Sequence, residues 1–270
     1  MPVNDITLAG GMRANLVNLQ LIAALQARTT QRLATGKRVN TAVDDPAAYF
    51  AAQSNMSRAN DLSARKDAMG EALQTVQAAS QGIDAITTLI EQAKGLTAAA
   101  RSAGTTDRAS LATQFGDLMT QIDNLAADAS YKGTNFLDSG TLTVNFNESG
   151  TSALTITGFD ASSSGLSIAA ATGSWAADSD INAAIADLDA ALNTLRTNGK
   201  TLASNNGVIT ARQDFTTNLI NTLTTGADNL TAADQNEEGA NMLALQTRQQ
   251  LGIVALQLSS QSQQSILRLF

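Results

Sequence analysis

Proline occurs only twice in this chain of 270 residues, at Pro2 and Pro46. Because proline removes a backbone donor and breaks helix interiors, its absence after residue 46 leaves almost the whole chain free to form long helices. Apolar residues make up 43% of the sequence, which is enough for a packed core, although aromatic residues are only 4%. The sequence therefore predicts a mainly α protein built from long alanine- and leucine-rich helices.

Apolar spacing predicts where those helices run. A near three-four repeat starts at Met12 and no glycine or proline interrupts it until Gly36, which predicts a helix over about 5–35. Further helices are predicted at about 46–101, 107–129 and 180–230, and a heptad series from Met242 predicts another at the carboxyl end. The predicted internal seams are Leu73, Val76, Ser80, Ile83, Thr87 and Ile90; Leu111, Phe115, Leu118, Ile122 and Leu125; and Ile181, Ile185, Leu188, Leu192 and Leu195.

Residues 138–178 change to a period of two. The segments TLTVNF, ALTIT and GLSIAA alternate apolar and polar residues and are joined by Asn-Glu-Ser-Gly and Ser-Ser-Ser-Gly links. Such alternation between turn residues is typical of short strands. We expect a small β-hairpin-type insert in a helical body.

Several kinds of chemistry are disfavoured by composition. The chain contains no histidine and no cysteine, and so lacks the commonest general base and the usual ligands of zinc and haem. Phosphate-cradling and nucleophile-elbow motifs are absent, and the acids between Asp228 and Glu238 do not follow the calcium-loop spacing. We predict no catalytic, cofactor-binding or metal-binding residues.

Charge and hydropathy limit the possible partners. Basic residues exceed acidic ones in 1–43 and 240–270, the intervening segment is acidic, and the net charge is −7. The sequence lacks the dense Lys/Arg patch that would indicate a nucleic-acid partner. It also lacks an apolar stretch long enough to span a membrane. The first residues do not resemble a signal peptide, so export would need another route.

The two terminal helices carry no charged residue between Arg13 and Arg28 or between Arg248 and Arg268. A solvent-facing helix normally carries Glu and Lys on its wet face, so these helices favour contact with other protein. We expect them to be mobile in a single subunit and ordered in an assembly. The residues predicted to mediate polymerisation are Met12, Leu16, Leu19, Ile22, Leu25, Leu33, Met242, Leu245, Leu251, Leu256, Ile266, Leu267 and Phe270.

The adjacent acids Asp44 and Asp45 permit more than one interpretation. Asp45 as N-cap with Pro46 at the first helical position explains the pair structurally, and Thr41 offers a second cap. A catalytic carboxylate couple and an ion site are the alternatives. A glycosidase couple would also need an aromatic sugar-binding shelf, which this aromatic-poor chain does not obviously offer.

Three stretches of the sequence together point to a known family. They are QRLATGKRVNTAVDDPAAYFAAQ (31–53), YKGTNFLD (131–138), and NLTAAD with LQTRQQLGIVALQLSSQSQQSILRLF near the carboxyl end. In that order they resemble the N-terminal signature, an internal turn motif and the closing helix of the bacterial flagellins. The resemblance covers about 1–137 and 180–270. It implies an extracellular filament subunit for swimming motility, exported by the flagellar type III apparatus, whose terminal helices pair as a coiled coil.

The resemblance also implies a domain order. Residues 1–43 would form an inner-tube helix and spoke, 44–137 and 180–236 a helical rod, 138–179 an exposed β insert, and 237–270 the second inner-tube helix. Arg38, Asn40, Asp44, Asp45 and Pro46 would lie in the spoke. The implied partners are further copies of the chain or other flagellins, hook-associated junction and cap proteins, and an export chaperone.

Two departures from the family pattern carry expectations of their own. The insert is short, so large outer domains should be missing. Where many flagellins carry the Arg, Arg and Glu read by the vertebrate Toll-like flagellin receptor, this chain has Gln92, Lys94 and Gly95, so weak or no recognition is expected. Glycans on Ser162, Ser163 and Ser164 are a further hypothesis.

The alternative functions are a hook-filament junction protein, which does not polymerise indefinitely, and another secreted coiled-coil structural protein, adaptor or effector. A metallopeptidase-type flagellin would need H-E-x-x-H, which a chain without histidine cannot supply.

Overall fold

The structure is a computed structural model that describes residues 10–267. In this range the helices are α1 (Gly10–Thr35), α2 (Pro46–Ser102), α3 (Thr105–Asp128), α4 (Asp178–Thr231) and α5 (Gln235–Leu267), and the strands are β1 (Thr141–Asn145) and β2 (Ala153–Thr157). This confirms the predicted mainly α fold with a β-hairpin insert. Phe270 and the predicted helical residues 5–9 lie outside the described residues, and only the backbone is described for Ile266 and Leu267.

The chain forms two compact units. The terminal unit contains the described residues up to Ser57 and from Leu223 onward, and the central unit is Arg58–Thr222. The unit limits lie inside α2 and α4, whereas the predicted domain boundaries at 43/44 and 236/237 follow the connectors between helices. The predicted inner-tube and rod domains therefore stay a prediction.

The core of the central unit is built on heptad seams of α2, α3 and α4. In α4 one apolar residue in each heptad is almost completely buried, from Ile181 through Leu188, Leu195 and Leu202 to Ile209. This repeat keeps one face of a long helix turned toward its neighbours. The seam continues at Thr216, which is also buried.

Half of the predicted α2 seam is shifted by one residue. Val76, Ile83 and Ile90 are fully buried or nearly so, as expected, whereas Leu73, Ser80 and Thr87 are only half-buried. The positions that close the α2 seam are mostly alanines, because a small side chain lets a neighbouring element approach closely. They are Ala72, Ala79, Ile86, Ala93 and Ala100.

A shift of one residue, in the opposite direction along the chain, occurs in α3. Phe115 and Ile122 are fully buried, but Leu111, Leu118 and Leu125 are half-buried, and Ala112, Met119 and Ala126 take their place in the core. The 4, 3, 4, 3 spacing that predicted the leucines does not distinguish them from the adjacent residues, which the neighbouring elements bury instead. The prediction was correct for the strongest anchors only.

The segment after α3 forms a tight turn that closes the helix end. Tyr131 and Thr134 exchange backbone hydrogen bonds around Lys132 and Gly133, both at positive φ. The side-chain amide of Asn135 donates to the carbonyls of Ala126 and Ala127, two of the orphan acceptors at the helix C-terminus. The following Phe136 and Leu137 are completely buried, which anchors the turn in the core.

The insert contains two antiparallel strands, with Val144 opposite Leu154 and Leu142 opposite Ile156. Val144 and Ile156 are buried against the helices. The expectation of a third extended segment at GLSIAA was wrong: the amides of Leu166 and Ile168 donate to the carbonyls of Ser162 and Ser163, forming a compact turn. Both side chains are buried, so the alternation reflected burial and not strand pairing.

A short turn over Thr172–Trp175 places Trp175 in the core. Gly173, Ser174 and Trp175 all have positive φ, at 56°, 51° and 57°. The Trp175 ring is fully buried and lies 5.1 Å from the ring of Phe115. A left-handed backbone at non-glycine residues is strained, so the packing of this tryptophan must offset that cost.

Candidate assembly interface

The terminal unit is built on α1 and α5, which run antiparallel. Arg32 near the end of α1 contacts Glu238 near the start of α5, and Leu19 lies over Gly252 in the middle of the pair. A Cβ atom at Gly252 would come within 2.7 Å of Leu19 Cδ2, so the glycine is what lets the leucine pack against the α5 backbone. This is the pairing of N- and C-terminal helices that the family resemblance implied.

The connectors of the terminal unit are held by backbone hydrogen bonds. The amides of Arg38 and Val39 both donate to the Thr231 carbonyl, at 2.7 and 3.2 Å, and the amide of Ala233 donates to Gly36. Gly36 itself has φ of 68°, the left-handed conformation that commonly ends a helix. Val39 is buried beneath these bonds.

The predicted polymerisation residues fall into three groups. Met12 and Leu245 are buried within the helix pair, and Leu19, Ile22, Leu33, Met242 and Leu256 are half-buried. Leu16, Leu25 and Leu251 are exposed. The exposed group therefore offers the largest apolar area to another molecule.

Sequence reasoning missed most of the exposed apolar surface. The exposed large apolar side chains of the two helices range from 40% exposed at Leu25 to 68% exposed at Leu258. The sequence does contain a signal for these residues. It is a second series of apolar residues in α5, spaced by three and four, beside the heptad series that starts at Met242. The missed exposed residues are Val17, Leu21, Leu243, Ile253, Val254 and Leu258.

No charged side chain lies among these exposed apolar residues on residues 14–27 of α1 or residues 249–267 of α5. Their polar neighbours are Gln, Asn, Ser and Thr, which can be buried in a contact at lower cost than Lys or Glu. Each exposed leucine would contribute roughly 1.5–3 kcal/mol when a neighbour buries it. The arrangement suits a surface that is covered by protein.

One ion pair ties the charged ends of the two helices together. Arg32 Nη1 lies 2.6 Å from Glu238 Oε1, and both side chains are mostly buried. The Nε atom of Arg32 is buried without a hydrogen-bond partner. A buried pair of this kind is worth less than its geometry suggests because both charges lose hydration.

The proposed spoke residues are organised around the start of α2. Asp45 Oδ1 accepts a hydrogen bond from the Ala48 amide at 3.1 Å, and Pro46 is the first residue of the helix. This is the predicted N-cap arrangement. Arg38 lies 3.8 Å from Asp45 Oδ2, a long contact between half-exposed groups that adds little stability.

Asp44 organises the preceding turn. Its Oδ2 atom accepts hydrogen bonds from the amides of Asn40 and Thr41 and from the Thr41 hydroxyl, at 3.0 to 3.1 Å. The Thr41 and Asn40 amides hold the pKa of this carboxyl below its ordinary value, assisted by the Thr41 hydroxyl and by Arg28. Thr41 is therefore a donor to Asp44 and not a cap of its own. Both carboxylates are engaged by nearby backbone, which supports the structural interpretation of the pair.

The remaining predicted sites lie in the central unit. Gln92 and Gly95 are exposed on α2, while Lys94 Nζ contacts Asp189 Oδ1 at 2.6 Å. In the insert, Ser164 is exposed, whereas Ser162 and Ser163 are half-buried and the Ser163 amide donates to Asp123. Ser164 is therefore the most accessible of the three hydroxyls for modification.

Within residues 10–267 no three acidic side chains come together in a way that could hold a metal ion. No helix in the same part of the chain combines the length and apolarity needed to cross a bilayer.

Comparison with known proteins gives one consistent family. The family described as the bacterial flagellin N-terminal helical region matches residues 3–141. Flagellin FljM of Caulobacter vibrioides is 31% identical over the full length of both chains. A flagellin of Brucella melitensis is 30% identical over 96% of this chain and 99% of its own. The crystal structure of Bacillus cereus flagellin aligns with a TM-score of 0.46 at 17% identity, covering 54% of this chain and 86% of that one.

Proposed function

The chain belongs to the bacterial flagellin family, and we propose that its copies assemble through the exposed apolar surface of α1 and α5. As a flagellin it is a structural subunit of the extracellular filament used for swimming. The proposal concerns which residues make the contact. Its main support is the set of exposed leucine, valine and isoleucine side chains on α1 and α5, most of them in the charge-free stretches 14–27 and 249–267.

Polymerisation follows from an asymmetric contact. When one surface of a subunit binds a different surface of the next, and the rotation does not close, the product is an open helix. The α1–α5 pair has apolar side chains on several faces, so one face can bind a neighbour while another receives the next copy. The proposed surface consists of Leu16, Leu25 and Leu251 together with Val17, Leu21, Leu243, Ile253, Val254 and Leu258.

The other assignments are proposals carried over from the family resemblance. Residues 1–43 and 237–270 would line the inner tube, 44–137 and 180–236 would form the rod, and Arg38, Asn40, Asp44, Asp45 and Pro46 the spoke. Junction and cap proteins, other flagellins and an export chaperone are proposed partners. Weak or no recognition by the Toll-like flagellin receptor is proposed because Gln92, Lys94 and Gly95 stand where many flagellins carry the receptor-binding Arg, Arg and Glu. Lys94 is also paired with Asp189.

Glycosylation of the insert is proposed for Ser164 before Ser162 or Ser163. An exposed hydroxyl is accessible to a transferase, and Ser164 is the exposed member of the three. An intact mass equal to that of the bare chain in protein isolated from filaments would rule this out.

The assembly surface can be tested by deletion and by point substitution. Protein lacking 240–270 should remain soluble and helical but form no filaments, and filaments of normal length would refute the proposal. The double variant Leu251→Asn/Leu258→Asn removes apolar area at two exposed positions and should strongly reduce seeded elongation.

The matched control is Leu251→Met/Leu258→Met, which keeps two apolar side chains of similar volume. It should elongate at close to the wild-type rate. Equal elongation by the asparagine and methionine variants would show that these side chains do not contact a neighbour.

A further inference from the structure

A hollow of about 290 Å³ opens between α1 and α5 at the charged end of the helix pair. Its charged lining consists of Arg28 and Arg32 from α1 and Glu238 and Arg248 from α5. Three arginines and one glutamate thus line the hollow. The hollow lies where the charged part of each helix meets its charge-free stretch, beside the proposed assembly surface.

The positive charge of the hollow is incompletely neutralised. Glu238 is committed to Arg32 at 2.6 Å. Among the described residues, the ion-pair partner of Arg28 is Asp44, at 3.8 Å, and the Arg28 side chain is half-exposed. Arg248 has no ion-pair partner within residues 10–267, the part of the chain that the structure describes. Guanidinium groups so arranged are suited to bind a further carboxylate through paired hydrogen bonds.

We propose that this hollow binds the carboxylate of Glu237 from a neighbouring copy of the chain. The inference rests on the proposed function, since it requires that copies meet at the α1–α5 pair. Glu237 is exposed, and its side chain makes no ion pair within residues 10–267. Glu237 precedes Glu238 by one residue and so lies about 100° from it around α5. It is not among the residues that line the hollow of its own subunit.

Asp234, the acid just before α5, is already engaged in hydrogen bonds of its own subunit. Asp234 Oδ1 accepts hydrogen bonds from the amides of Asn236 and Glu237, which caps α5. Asp228 is exposed and provides a matched control. The chain carries a net charge of −7, so a basic hollow stands out against an acidic molecule. Many acidic side chains could pair with it, and the position of the neighbouring copy decides which one does.

The physical role of the contact would be registration. Burial of leucine side chains is non-directional, so an apolar surface alone permits a subunit to dock at several displacements. A charged pair at one end of the surface penalises the wrong displacements and fixes the register. The hollow would thus select one arrangement among those that the apolar surface permits.

A charge exchange tests the proposal. Seeded elongation is measured for wild-type protein, Arg248→Glu, Glu237→Arg and the double variant, with Asp228→Arg as the control. Each single reversal at the contact should slow elongation about tenfold, the double variant should recover most of the rate, and the control should stay near wild type. Circular dichroism verifies that each variant keeps its helices.

The milder pair Arg28→Gln/Arg248→Gln covers the case in which a reversed charge prevents folding. It removes charge from the hollow and keeps the Arg32–Glu238 pair, and it should weaken the salt dependence of elongation.

If wild-type protein elongates and the charge-reversed variants elongate at the same rate, the inference is overturned. The proposed function would remain intact. Failure of the double variant to recover would overturn Glu237 as the partner. Failure of wild-type protein to elongate on seeds would instead contradict the proposed function itself.

Discussion

The neighbouring acids Asp44 and Asp45 show how strongly the local backbone decides what a residue does. Asp45 accepts the Ala48 amide at the start of α2, whereas Asp44 accepts the amides of Asn40 and Thr41 in the turn before it. The sequence predicted the first role because an acid before proline is a strong helix-start signal. It could not predict the second, since several side chains nearby could have formed the turn.

The pKa of Asp44 leads to a prediction about acid. Because the folded-state pKa lies below the ordinary value of 3.8, chiefly through the Thr41 and Asn40 amides, the stabilising effect is complete above pH 3.8. It is lost as pH falls through the folded-state pKa. In wild-type protein, amide exchange at Asn40 and Thr41, relative to intrinsic rates, should accelerate in that window. Asp44→Asn, which cannot titrate, should lack this step.

Asp45→Asn is the matched control, because its carboxylate caps α2 and does not contact the Asn40 or Thr41 amide. This variant should keep the acid step at both amides. A step of equal size in Asp44→Asn would contradict the role assigned to the Asp44 carboxylate.

The strained turn at Thr172–Trp175 gives a prediction about stability. Ser174 has φ of 51°, where an L-residue with a Cβ is disfavoured and glycine is not. Ser174→Gly should therefore raise the free energy of unfolding of the central unit by about 0.5–1 kcal/mol. Chemical denaturation followed by the fluorescence of Trp175, the only tryptophan in the sequence, measures this directly.

The adjacent substitution Gly173→Ala adds a Cβ at φ of 56° and should lower the same free energy by about 1 kcal/mol. Opposite signs for these neighbouring changes would identify backbone strain as the cause. A destabilised Ser174→Gly would show that Ser174 contributes more through its side chain than its backbone costs.

At the level of helices, the sequence predicted which segments are helical, and where they begin and end, better than which side of each helix is buried. The helix predicted at 46–101 is observed as Pro46–Ser102, and that predicted at 180–230 as Asp178–Thr231. The exact contact lines of α2 and α3 were displaced because buried alanines such as Ala79 and Ala126 give no stronger apolar signal than exposed ones. Which alanine is buried depends on the neighbouring helix, which a single segment does not encode.

The terminal helices present the same difficulty in a stronger form. Their apolar residues follow more than one series, and one partner helix can cover only one of them. Sequence alone identified Met12 and Leu245 as contact residues but could not separate side chains buried within the pair, such as these, from those left open, such as Leu251.

The close contact at Gly252 predicts how the pair can be loosened. A Cβ there would meet Leu19 Cδ2 at 2.7 Å and Cγ at 3.2 Å, so Gly252→Val should separate α1 from α5 locally. We expect a loss of about 1–3 kcal/mol in the stability of the terminal unit, measured by amide exchange in α1, and slower elongation on seeds. Adding Leu19→Ala should restore much of both.

Gly239→Ala in the same helix serves as the control, because a Cβ at that position meets nothing within 4 Å. It should be neutral or stabilise α5 by about 0.5–1 kcal/mol through helix propensity. Equal losses at both glycines would show that helix flexibility, and not the Leu19 contact, is what Gly252 provides.

At the scale of the whole chain, the two units differ in how much they bury. The central unit contains a continuous core that includes Trp175, Phe115, Phe136 and the α4 heptads. The terminal unit buries few large apolar side chains, chiefly Met12, Val39 and Leu245 in the described residues. A small core offsets less of the conformational entropy that the chain loses on folding. The terminal unit should therefore unfold locally far more readily than the central unit.

This difference in burial suggests how folding and assembly of the subunit are coupled. We propose that the core of the central unit is sufficient for its stability, whereas α1 and α5 become stable when neighbouring copies bury their exposed leucines. Assembly would thus complete the folding of the terminal unit. Sequence could predict this dependence from the uncharged helix surfaces, but not the division of residues between the helix pair and its neighbours.

The most direct test is amide hydrogen exchange, residue by residue, on dilute monomer and on filaments of the same protein. In the monomer, α1 and α5 should exchange quickly while Met69–Ala100 of α2 stays protected, and in the filament all three segments should be protected. Full protection of both α1 and α5 in the isolated monomer would contradict the claim that these helices depend on neighbouring copies.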